Sequence, residues 1–549
     1  MRPYNIPAMS QPPVQAQGTS ELETEATGGA ASLDAARPRD LGVRGAVAAL
    51  LLLLVAAFAS RLIFGLHTGL DGDESTTAFT ALRITQGHLV LMESNQHYQA
   101  AIESYIIAPF VWLLGPTALA VRVPLALIGT LFVLALYDLG RTIFHRRSAG
   151  LLLACVGAVF PVFELVWSMK ARSGYAETML FAVVCLCLAV RIGWQPRGDR
   201  LRNWILLGLV AGIGLWNYLL LAVPLAPVAV VLLCRGPALG WRRTLRGAGA
   251  ALGGLLVGFS PWLAYNATHH LASLQNLPSY VTSIPHAVKG LVEQEMPIFA
   301  GTSAECGSNT VTPWIAWIGL AALAAAVLWL RRKPIGRLLR GNLSSVEPVE
   351  MLLAIAPVAV VAVVAGRFND VPCEPRYLLP LAIPLALAAT LVLMVRSRWR
   401  LVAAGLGLAY LVIAAFTAYG PTVDALPYTT TQVPIPLNRA QIVTDLEARH
   451  VTVLFGDYWV ARPILYLSGG RIDAAVYNGP IAFPSVQAAA EASRDPAWLF
   501  VNGDPNIGIF QALMRATGVT SSEVSVDGYE LFEGFSAPLV PADLMAYTS

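Results

Sequence analysis

The stretch GLDGDESTTA, residues 69–78, places three carboxylates directly after an apolar run of about twenty residues. An apolar helix of that length is long enough to cross the hydrocarbon core of a bilayer. Asp71, Asp73 and Glu74 therefore stand where the chain leaves a first predicted membrane span, at residues 44–65. The hydroxyl residues that follow can begin a helix, whose positive N-terminal end favours acidic side chains. What these acids do depends on the side of the membrane that they face.

The rest of the chain has the composition of a protein that crosses a membrane many times. Of its 549 residues, 56% are hydrophobic and 13% are charged, whereas soluble proteins carry about 25% charged residues. A net charge of +3 gives no reason to expect a nucleic-acid partner. Apolar runs recur along most of the sequence and predict eleven transmembrane helices in a lipid bilayer. These are predicted at 44–65, 119–141, 148–168, 174–192, 203–217, 219–234, 247–266, 313–330, 350–366, 377–395 and 401–419.

The loops between the predicted spans differ in their content of Lys and Arg. If the N-terminus is cytoplasmic and residues 98–115 do not cross, the inside loops hold 19 such residues and the outside loops hold 6. Cytoplasmic loops of membrane proteins are enriched in Lys and Arg. Counting 98–115 as a twelfth span would invert this bias, so we interpret it as an interfacial helix in the first outer loop. Residues 71–74 then face outside, as does the chain after 420.

Two segments flank the predicted transmembrane domain, which spans residues 43–419. Residues 1–42 are rich in Ala, Gly, Pro, Ser and Glu and lack apolar periodicity, which is typical of a disordered tail, here cytoplasmic. From 420 to 549 short apolar runs alternate with turn residues, which predicts a small extracytoplasmic α/β domain. Its predicted strands are 451–455, 471–477, 498–501 and 529–532, and its predicted helices are 458–467, 485–493 and 507–516.

Ionisable residues gather in the predicted outer loops. The second of these loops carries Lys170, Arg172 and Glu177, and the fourth carries Arg376 beside Tyr377. Ionisable groups near a bilayer are costly to insert, which makes them candidates for function. Their combination suits glycosyl transfer from a lipid phosphate, because a carboxylate can deprotonate an acceptor hydroxyl while a guanidinium stabilises the departing phosphate. Plainer roles stay open, since such acids can cap helices, Arg can anchor at the interface and Tyr can belong to an aromatic belt.

Several short motifs, in their order and their placement relative to the spans, resemble the GT-C class of membrane glycosyltransferases. The resemblance is to the branch that holds the protein O-mannosyltransferases and the lipid A aminoarabinose transferase. The motifs are GDES (72–75), AVRVPLALIG (120–129), KARSGY (170–175), GFSPWLAYN (258–266), EPRYLLPLAIP (374–384) and, at the start of the outer domain, GDYWVARPILYLSGG (456–470).

This resemblance implies an inverting transfer from a polyprenyl-phosphate-linked sugar donor to a cell-envelope acceptor, whether a glycan, a lipid or a protein. The Asp-Glu pair of the family's first loop falls on Asp73 and Glu74, which makes Asp73 the candidate catalytic base and Glu74 its supporting neighbour. The family's acid after the third span, which helps to position the acceptor or a metal in relatives, most nearly matches Glu177.

The resemblance also implies where the donor phosphate binds. The family's Arg-Tyr pair before a late span falls on Arg376 and Tyr377. Arg376 is therefore expected to contact the donor phosphate, and Lys170 or Arg172 is expected to help it.

The acceptor side departs from the family pattern. Where some members have Lys-Pro-Pro in the first loop, this chain has ESNQHYQAAIESY (93–105), which leaves the roles of the polar residues there open. The start of the outer domain offers a Tyr-Trp pair that can stack on sugars or belong to an ordinary core. The candidate acceptor- or sugar-binding residues are His97, Tyr98, Glu103, Tyr458 and Trp459.

A metal ion and a disulfide are two further hypotheses. Asp73, Glu177 and an outer-loop His could hold a hard cation such as Mg²⁺, Mn²⁺ or Ca²⁺, although their spacing does not require one. Cys306 and Cys373 both fall in outer loops, where an oxidising compartment favours a disulfide between them.

Two other classes of function compete with a glycosyltransferase. A transporter or flippase of lipid-linked sugars would also have many spans, but such proteins place polar residues near mid-membrane and contain internal repeats. A scaffold or sensor that works through residues 420–549 would leave Asp73, Glu177 and Arg376 without a role. The bias toward Arg over Lys suggests a GC-rich bacterial source, so we expect a multi-pass protein of a bacterial plasma membrane.

Overall fold

The computed structural model describes residues 40–94, 96–159, 161–275, 283–301, 313–367, 375–395, 429–437 and 439–548. The predicted tail at 1–42 lies almost wholly outside these ranges, and the predicted span 401–419 lies outside them entirely. Within them the chain is mostly helical before residue 400 and mixed after it.

The first half of the chain alternates long apolar helices with shorter ones. A two-stranded hairpin interrupts them in the first outer loop, and a 3-10 turn at Leu219–Leu221 precedes α9. In chain order the elements are α1 (Val43–His67), α2 (Gly72–Thr85), β1 (Met92–Glu93), β2 (Gln96–Ala100), α3 (Ile102–Leu114), α4 (Ala118–Phe144), α5 (Arg147–Gly157), α6 (Val162–Trp167), α7 (Tyr175–Trp194), α8 (Leu201–Asn217) and α9 (Ala222–Cys234).

The helices that follow complete the bundle. They are α10 (Gly236–Leu239), α11 (Trp241–Thr268), α12 (Ala272–Gln275), α13 (Ile284–Gly290), α14 (Met296–Phe299), α15 (Pro313–Leu330), α16 (Arg332–Leu339), α17 (Pro348–Leu353), α18 (Ile355–Gly366) and α19 (Ala382–Met394). A π-helical turn at Leu291–Glu295 and 3-10 turns at Leu343–Ser345 and Pro375–Leu381 connect some of them.

Six helical segments in the described ranges are long and apolar enough to cross a membrane, if Pro348–Gly366 (α17 and α18) and Pro375–Met394 (the 3-10 turn and α19) each count as one. A seventh is added if α15 and α16, which are bent by 77° at their junction, form one span. The predicted span at 148–168 is divided into α5 and α6, because Pro161 has no amide proton with which to continue the helix. The chain is thus a multi-pass membrane protein, and the total of eleven spans stays a prediction.

The predicted first outer loop is more structured than the sequence indicates. The predicted interfacial helix at 98–115 begins only at Ile102, because residues 96–100 pair with β1 as an antiparallel hairpin. Glu93 lies opposite Gln96 in this pairing, and Gln99 also forms a bridge with Tyr218 at the end of α8. The hairpin therefore lies against the C-terminal end of α8.

The C-terminal region is the predicted α/β unit, with one more strand than expected. Its elements are α20 (Arg439–Ala448), β3 (Val453–Asp457), α21 (Tyr458–Leu467), β4 (Asp473–Asn478), α22 (Pro484–Glu491), β5 (Ala497–Val501), α23 (Asn506–Thr517), β6 (Ser522–Val526), β7 (Tyr529–Glu533) and α24 (Pro541–Thr548). The sheet order is β4-β3-β5-β7-β6, with β4, β3 and β5 parallel and β7 and β6 antiparallel. The missed strand, β6, is the polar and largely exposed edge strand, so it lacks the apolar signal of the others.

One hydrophobic core joins the α/β unit to the first outer loop. It contains Leu70 before α2, Phe79 within α2 and Ile464 of α21. The Phe79 ring meets Phe483 edge-on, with 4.8 Å between ring centroids. This packing places the N-terminus of α21 over the N-terminus of α2, where the opening acids lie.

Candidate active site

The acids of the opening stretch stand at the start of α2. The Asp71 side chain accepts the amide proton of Glu74 at 2.9 Å, and the Glu74 carboxylate accepts the amide proton of Asp71 at 3.2 Å. These reciprocal bonds form a capping box, which holds the helix start in place. Asp73 lies between the two capping residues in the chain, one residue and so about 100° around the helix from Glu74. The capping geometry therefore separates Asp73 from its two acidic neighbours.

Glu74 turns inward to a buried guanidinium. Its carboxylate forms an ion pair with both terminal nitrogens of Arg122 in α4, and the amide of Ala171 donates to it at 3.0 Å. Glu74 and Arg122 are each 1% exposed. Arg122 also donates to the carbonyl oxygens of Gly65 at 2.9 Å and Met169 at 2.6 Å. This pair ties the end of α1, the start of α2 and the loop after α6 together.

Arg172 bridges the other two acids. Its Nη1 lies 2.6 Å from Oδ2 of Asp73, and its Nη2 lies 2.7 Å from Oδ2 of Asp71. Burial by itself raises the pKa of Asp71, but the charges of Arg172 and Lys170 and the amide of Glu74 outweigh it, so this pKa lies below its usual value. Asp71 therefore stays ionised and helps to hold Arg172 beside Asp73.

The loop that presents Arg172 needs a left-handed turn. Gly174 has a φ of 90°, a conformation that costs glycine little. Its amide donates to Oε2 of Glu103 at 2.8 Å, and its carbonyl accepts from Nδ2 of Asn217 at 2.8 Å. The loop is thus fixed by α3 on one side and by α8 on the other.

Tyr458 enters the site from the α/β unit. Its hydroxyl donates to Oδ1 of Asp73 at 2.8 Å and lies 3.2 Å from Oγ1 of Thr76. Burial and the charge of Asp73 raise the pKa of Tyr458 well above its usual value, so the phenol keeps the proton that it donates. A Cβ on Gly72 would lie 2.7 Å from the Tyr458 ring, so this close approach requires glycine. Asp73 is held from two sides while 26% of its side chain stays exposed.

A cleft opens beside Asp73. Arg376 reaches it from the 3-10 turn at Pro375–Leu381, and its guanidinium carbon lies 5.4 Å from the centre of the Tyr377 ring. Two carboxyl groups, of Asp73 and Glu93, and two guanidinium groups therefore share one opening. The lining residues are Asp73, Thr76, Thr77, Glu93, Ser94, Gln96, Tyr98, Gln99, Arg172, Ser173, Tyr175, Arg376 and Tyr458.

Part of the residue set predicted from the sequence comes together here. The predicted residues in the lining are Asp73, Tyr98, Arg172, Arg376 and Tyr458. The predicted residues that lie around it are Glu74, His97, Glu103, Lys170, Glu177, Tyr377 and Trp459. Cys306 and Cys373 fall outside the described residues, so their disulfide stays a prediction.

Glu103 and Glu177 form a buried acidic pair behind the loop that carries Arg172. They are 1% and 2% exposed, respectively. Burial and the charge of Glu177 raise the pKa of Glu103 well above its usual value, although the amide of Gly174 favours the charged form. The neutral form of Glu103 is therefore favoured more than in an exposed glutamate.

The other predicted residues are held by local contacts. His97 Nδ1 lies 2.6 Å from the hydroxyl of Tyr265 in α11. The Trp459 ring meets the Tyr458 ring edge-on at 5.1 Å, and Tyr377 is buried in the bundle core. These residues support the walls of the site from outside its lining.

The two acids that were predicted to hold a metal together with an outer-loop His do not lie at one point. Asp73 lines the cleft, whereas Glu177 is buried beside Glu103. Within the described ranges, no group of three or more His, Cys, Asp or Glu side chains is arranged to hold a metal ion.

Sequence reasoning missed several residues that the structure brings to the site. Glu93, Gln96 and Gln99 line the cleft, and Arg122 holds Glu74 beneath it. An Arg inside an apolar span is a recognisable signal, because such a charge needs a buried partner. The hairpin residues carry no comparable signal in the sequence, because they reach the cleft only through the pairing of β1 with β2.

Part of the chain matches a known family, and the whole fold has counterparts among solved structures. Residues 99–265 match the family model described as dolichyl-phosphate-mannose-protein mannosyltransferase. The helical bundle and the C-terminal sheet have the GT-C fold. The fold and this partial match confirm the resemblance to the GT-C membrane glycosyltransferases that the motifs indicated.

Solved structures with this fold cover nearly the whole chain. ArnT from Cupriavidus metallidurans bound to undecaprenyl phosphate is 14% identical, with a TM-score of 0.56 over 90% of this chain and 98% of that one. The apo state of the same protein is 13% identical, with a TM-score of 0.54 over 88% and 97%. The archaeal oligosaccharyltransferase AglB from Archaeoglobus fulgidus is 12% identical, with a TM-score of 0.46 over 82% and 69%. No curated protein sequence matches the chain.

Proposed function

We propose that this protein transfers a sugar, with inversion, from a polyprenyl-phosphate-linked donor to a cell-envelope acceptor on the outer side of a bacterial plasma membrane. The observation that carries the proposal is that Asp73 and Arg376 line the same cleft. A carboxylate and a guanidinium across one opening are the two groups that such a transfer needs, one for the acceptor hydroxyl and one for the leaving phosphate.

Asp73 is the general base in this proposal. Arg172 and Tyr458 together orient its carboxylate and favour its charged form, while its partial exposure lets an acceptor approach. The carboxylate takes the proton of the acceptor hydroxyl as that oxygen bonds to the anomeric carbon. The bond from the anomeric carbon to the phosphate oxygen breaks, and its electron pair leaves with the polyprenyl phosphate.

Arg376 binds the phosphate of the donor. A guanidinium matches phosphate oxygens in a two-point geometry and stays charged at any physiological pH. Arg172 already donates to Asp71 and Asp73, so its part is to add positive charge and to hold the base. Lys170 adds charge nearby, since it lowers the pKa of Asp71.

Glu74 has a structural part in this proposal. Both of its oxygens are engaged by Arg122, Ala171 and the amide of Asp71. It therefore supports Asp73 by fixing the start of α2 and takes no proton itself. Glu177 likewise acts from behind the cleft, together with Glu103.

The lipid part of the donor would lie between the bundle helices, with its phosphate at the outer interface. The excess of Lys and Arg in the opposite loops supports this orientation. The likeness of the fold to ArnT bound to undecaprenyl phosphate supports a polyprenyl phosphate as the carrier. The unit at 420–549 would then be extracytoplasmic and would cover the cleft through Tyr458.

The experiment is transfer of radiolabelled sugar from a panel of polyprenyl-phosphate sugars to a cell-envelope extract by the purified protein in lipid. We expect transfer by the wild type and its loss in Asp73→Asn, while the exposed Asp495→Asn serves as a matched control. Full transfer by Asp73→Asn would refute the base assignment. Movement of the labelled lipid across vesicles without transfer would favour a flippase instead.

A further inference from the structure

The β1–β2 hairpin forms one wall of the cleft. Glu93, Ser94, Gln96, Tyr98 and Gln99 all line the opening from this hairpin. Amide, hydroxyl and aromatic side chains of this kind are the groups that bind neutral polar ligands, whereas the cationic groups stand on the other walls. The wall therefore differs chemically from the side that suits a phosphate.

Glu93 is the unusual member of this wall, because it is an acid that is 3% exposed. Its Oε2 lies 2.9 Å from Oγ of Ser104, and the same Oγ lies 3.0 Å from the carbonyl oxygen of Thr77. A serine hydroxyl has one proton and cannot donate it to both acceptors. Both contacts become hydrogen bonds if Glu93 is protonated and donates to Ser104 while Ser104 donates to Thr77.

The surroundings of Glu93 favour the same protonated form. Burial raises the pKa of Glu93 to about 7, although the hydroxyls of Ser104 and Thr80 and the amide of Ser94 favour the charged form. The titratable and charged groups that share the cleft or lie behind this wall are Asp73 of α2, Tyr98 of β2, Glu103 of α3, Arg172 before α7, Tyr175 and Glu177 at the start of α7, Arg376 of the 3-10 turn and Tyr458 of α21.

The second oxygen of Glu93 remains available to a ligand. Oε1 is buried and has no hydrogen-bond partner among the residues that the structure describes. A buried carbonyl-type oxygen without a partner is costly, so such an atom at the edge of a cleft indicates a ligand that donates to it.

We propose that Glu93 is a neutral carboxylic acid whose Oε1 accepts a hydrogen bond from a sugar hydroxyl, so that the β1–β2 hairpin is the carbohydrate-binding wall of the cleft. This inference rests on the proposed function and deepens it by naming the ligand class of that wall. The hydroxyl can come from the transferred sugar or from a sugar acceptor, and the KM of donor and of acceptor tells these sources apart. A sugar ammonium is excluded by this assignment, because it would draw the acid into its ionised form.

The first test compares Glu93→Gln with Glu93→Ala in the transfer assay between pH 6 and pH 9. The amide group of Gln can donate a hydrogen bond to Ser104 and accept one from a sugar hydroxyl. Glu93→Gln should therefore have, at every pH, the KM that the wild type has at pH 6. Glu93→Ala should raise one KM about five- to thirty-fold through the lost hydrogen bond. The wild-type KM should stay constant below pH 7 and rise above it, because only the neutral form of Glu93 binds the sugar hydroxyl in the proposed way. In Glu93→Gln the KM should not rise with pH.

The second test does not use activity. The infrared difference spectrum between the wild type and Glu93→Gln should contain a protonated-carboxyl band at pH 6 and lack it at pH 9, because the bands of the other buried acids cancel in the difference. Binding of the octyl glycosides of mannose, arabinose and glucosamine is then measured for the same proteins. The exposed Glu523→Gln is the matched control and should behave as the wild type in every measurement.

The outcomes separate this inference from the proposed function. Suppose that Asp73→Asn loses transfer, while Glu93→Gln and Glu93→Ala keep the KM values and the pH profile of the wild type. This result would overturn the role of Glu93 and leave the proposed function standing. If no transfer is found at all, the infrared band and weaker octyl mannoside or arabinoside binding by Glu93→Ala would still support the carbohydrate wall. If the glucosamine glycoside binds best and its binding removes the protonated-carboxyl band, the assignment of Glu93 as a neutral acid would be overturned.

Discussion

The hydroxyl of Tyr458 donates a hydrogen bond to the carboxylate of Asp73 across 2.8 Å, although 385 positions separate the two residues in the chain. The α/β unit thus supplies part of the wall around the candidate base and holds it from the side opposite Arg172. A residue of the membrane part and a residue of the C-terminal part therefore form one site.

Removing the Tyr458 hydroxyl should slow the chemical step. Tyr458→Phe keeps the ring that packs on Gly72 and deletes only the donor to Asp73. A hydrogen bond to a charged group is worth about 1.5–3 kcal/mol, so we expect kcat to fall at least about tenfold with the donor KM unchanged. Tyr547→Phe, at an exposed tyrosine, is the control. An unchanged kcat in Tyr458→Phe would show that Arg172 alone positions the base.

Replacing Arg172 by Lys should be almost as harmful as removing it. The guanidinium makes one bond to Asp71 and one to Asp73 at the same time, and an ammonium on a flexible stem cannot reproduce that fork. We expect both Arg172→Lys and Arg172→Gln to lower kcat by more than about tenfold. The exposed Arg449→Lys should leave kcat unchanged. Near-normal turnover in Arg172→Lys would mean that charge alone, without the fork, is sufficient.

Glu74 and Asp73 should respond to amide substitution in different ways. Glu74→Gln leaves the buried Arg122 without its counter-charge, and breaking a buried pair costs about 3–5 kcal/mol. We therefore expect a large loss of thermal stability in Glu74→Gln, measured by fluorescence size-exclusion after heating. Asp73→Asn should lose transfer and keep its stability.

The partner substitution separates a structural from a catalytic role of Glu74. Adding Arg122→Met to a Glu74→Met variant removes both charges, so the double variant should be more stable than Glu74→Met alone. If Glu74→Gln instead folds normally and loses only kcat, then Glu74 takes part in the chemistry.

Shortening Arg376 should weaken donor binding. A hydrogen bond to a charged group is worth about 1.5–3 kcal/mol. Its loss in Arg376→Ala should therefore raise the donor KM about ten- to a hundredfold. Arg376→Lys should lie between Arg376→Ala and the wild type, because Lys offers a point charge. The exposed Arg449→Ala is the control. A higher acceptor KM with a normal donor KM would move Arg376 to the acceptor side.

The pair Cys306 and Cys373 yields a prediction from sequence alone. If the two thiols form a disulfide, alkylation without reductant should add no mass to the peptides that contain them. Alkylation after reduction should then modify both. A mass increase in the absence of reductant would contradict the pairing.

Features encoded by neighbouring residues could be predicted from the sequence. Apolar runs indicated the helices of the bundle, and the short alternating runs after 420 indicated strands such as β3 and β5 within two residues of their observed bounds. The fold class followed from these patterns and from short motifs. The edge strand β6 was missed, because its side chains face water and carry no apolar alternation.

Features that depend on distant partners could not be predicted in this way. Arg122 belongs to a motif that was recognised, yet its pairing with Glu74 connects two helices that the sequence separates by 48 positions. Glu177 was expected in the site, but the turn at Gly174 places it behind the loop, against Glu103. Glu93 gave no signal at all, because its position depends on the hairpin pairing and on α3 behind it.

By itself the sequence determined that the chain crosses a membrane many times, that its opening acids stand at the end of a span, and that an α/β unit follows the bundle, because hydropathy and short-range periodicity are local properties. The tertiary structure decided what each acid does. Asp71 caps α2, Glu74 pairs with Arg122, and Asp73 faces the cleft between Arg172 and Tyr458. Adjacent residues on one helical turn point in different directions, so only the partners that folding brings to each direction distinguish three neighbouring carboxylates.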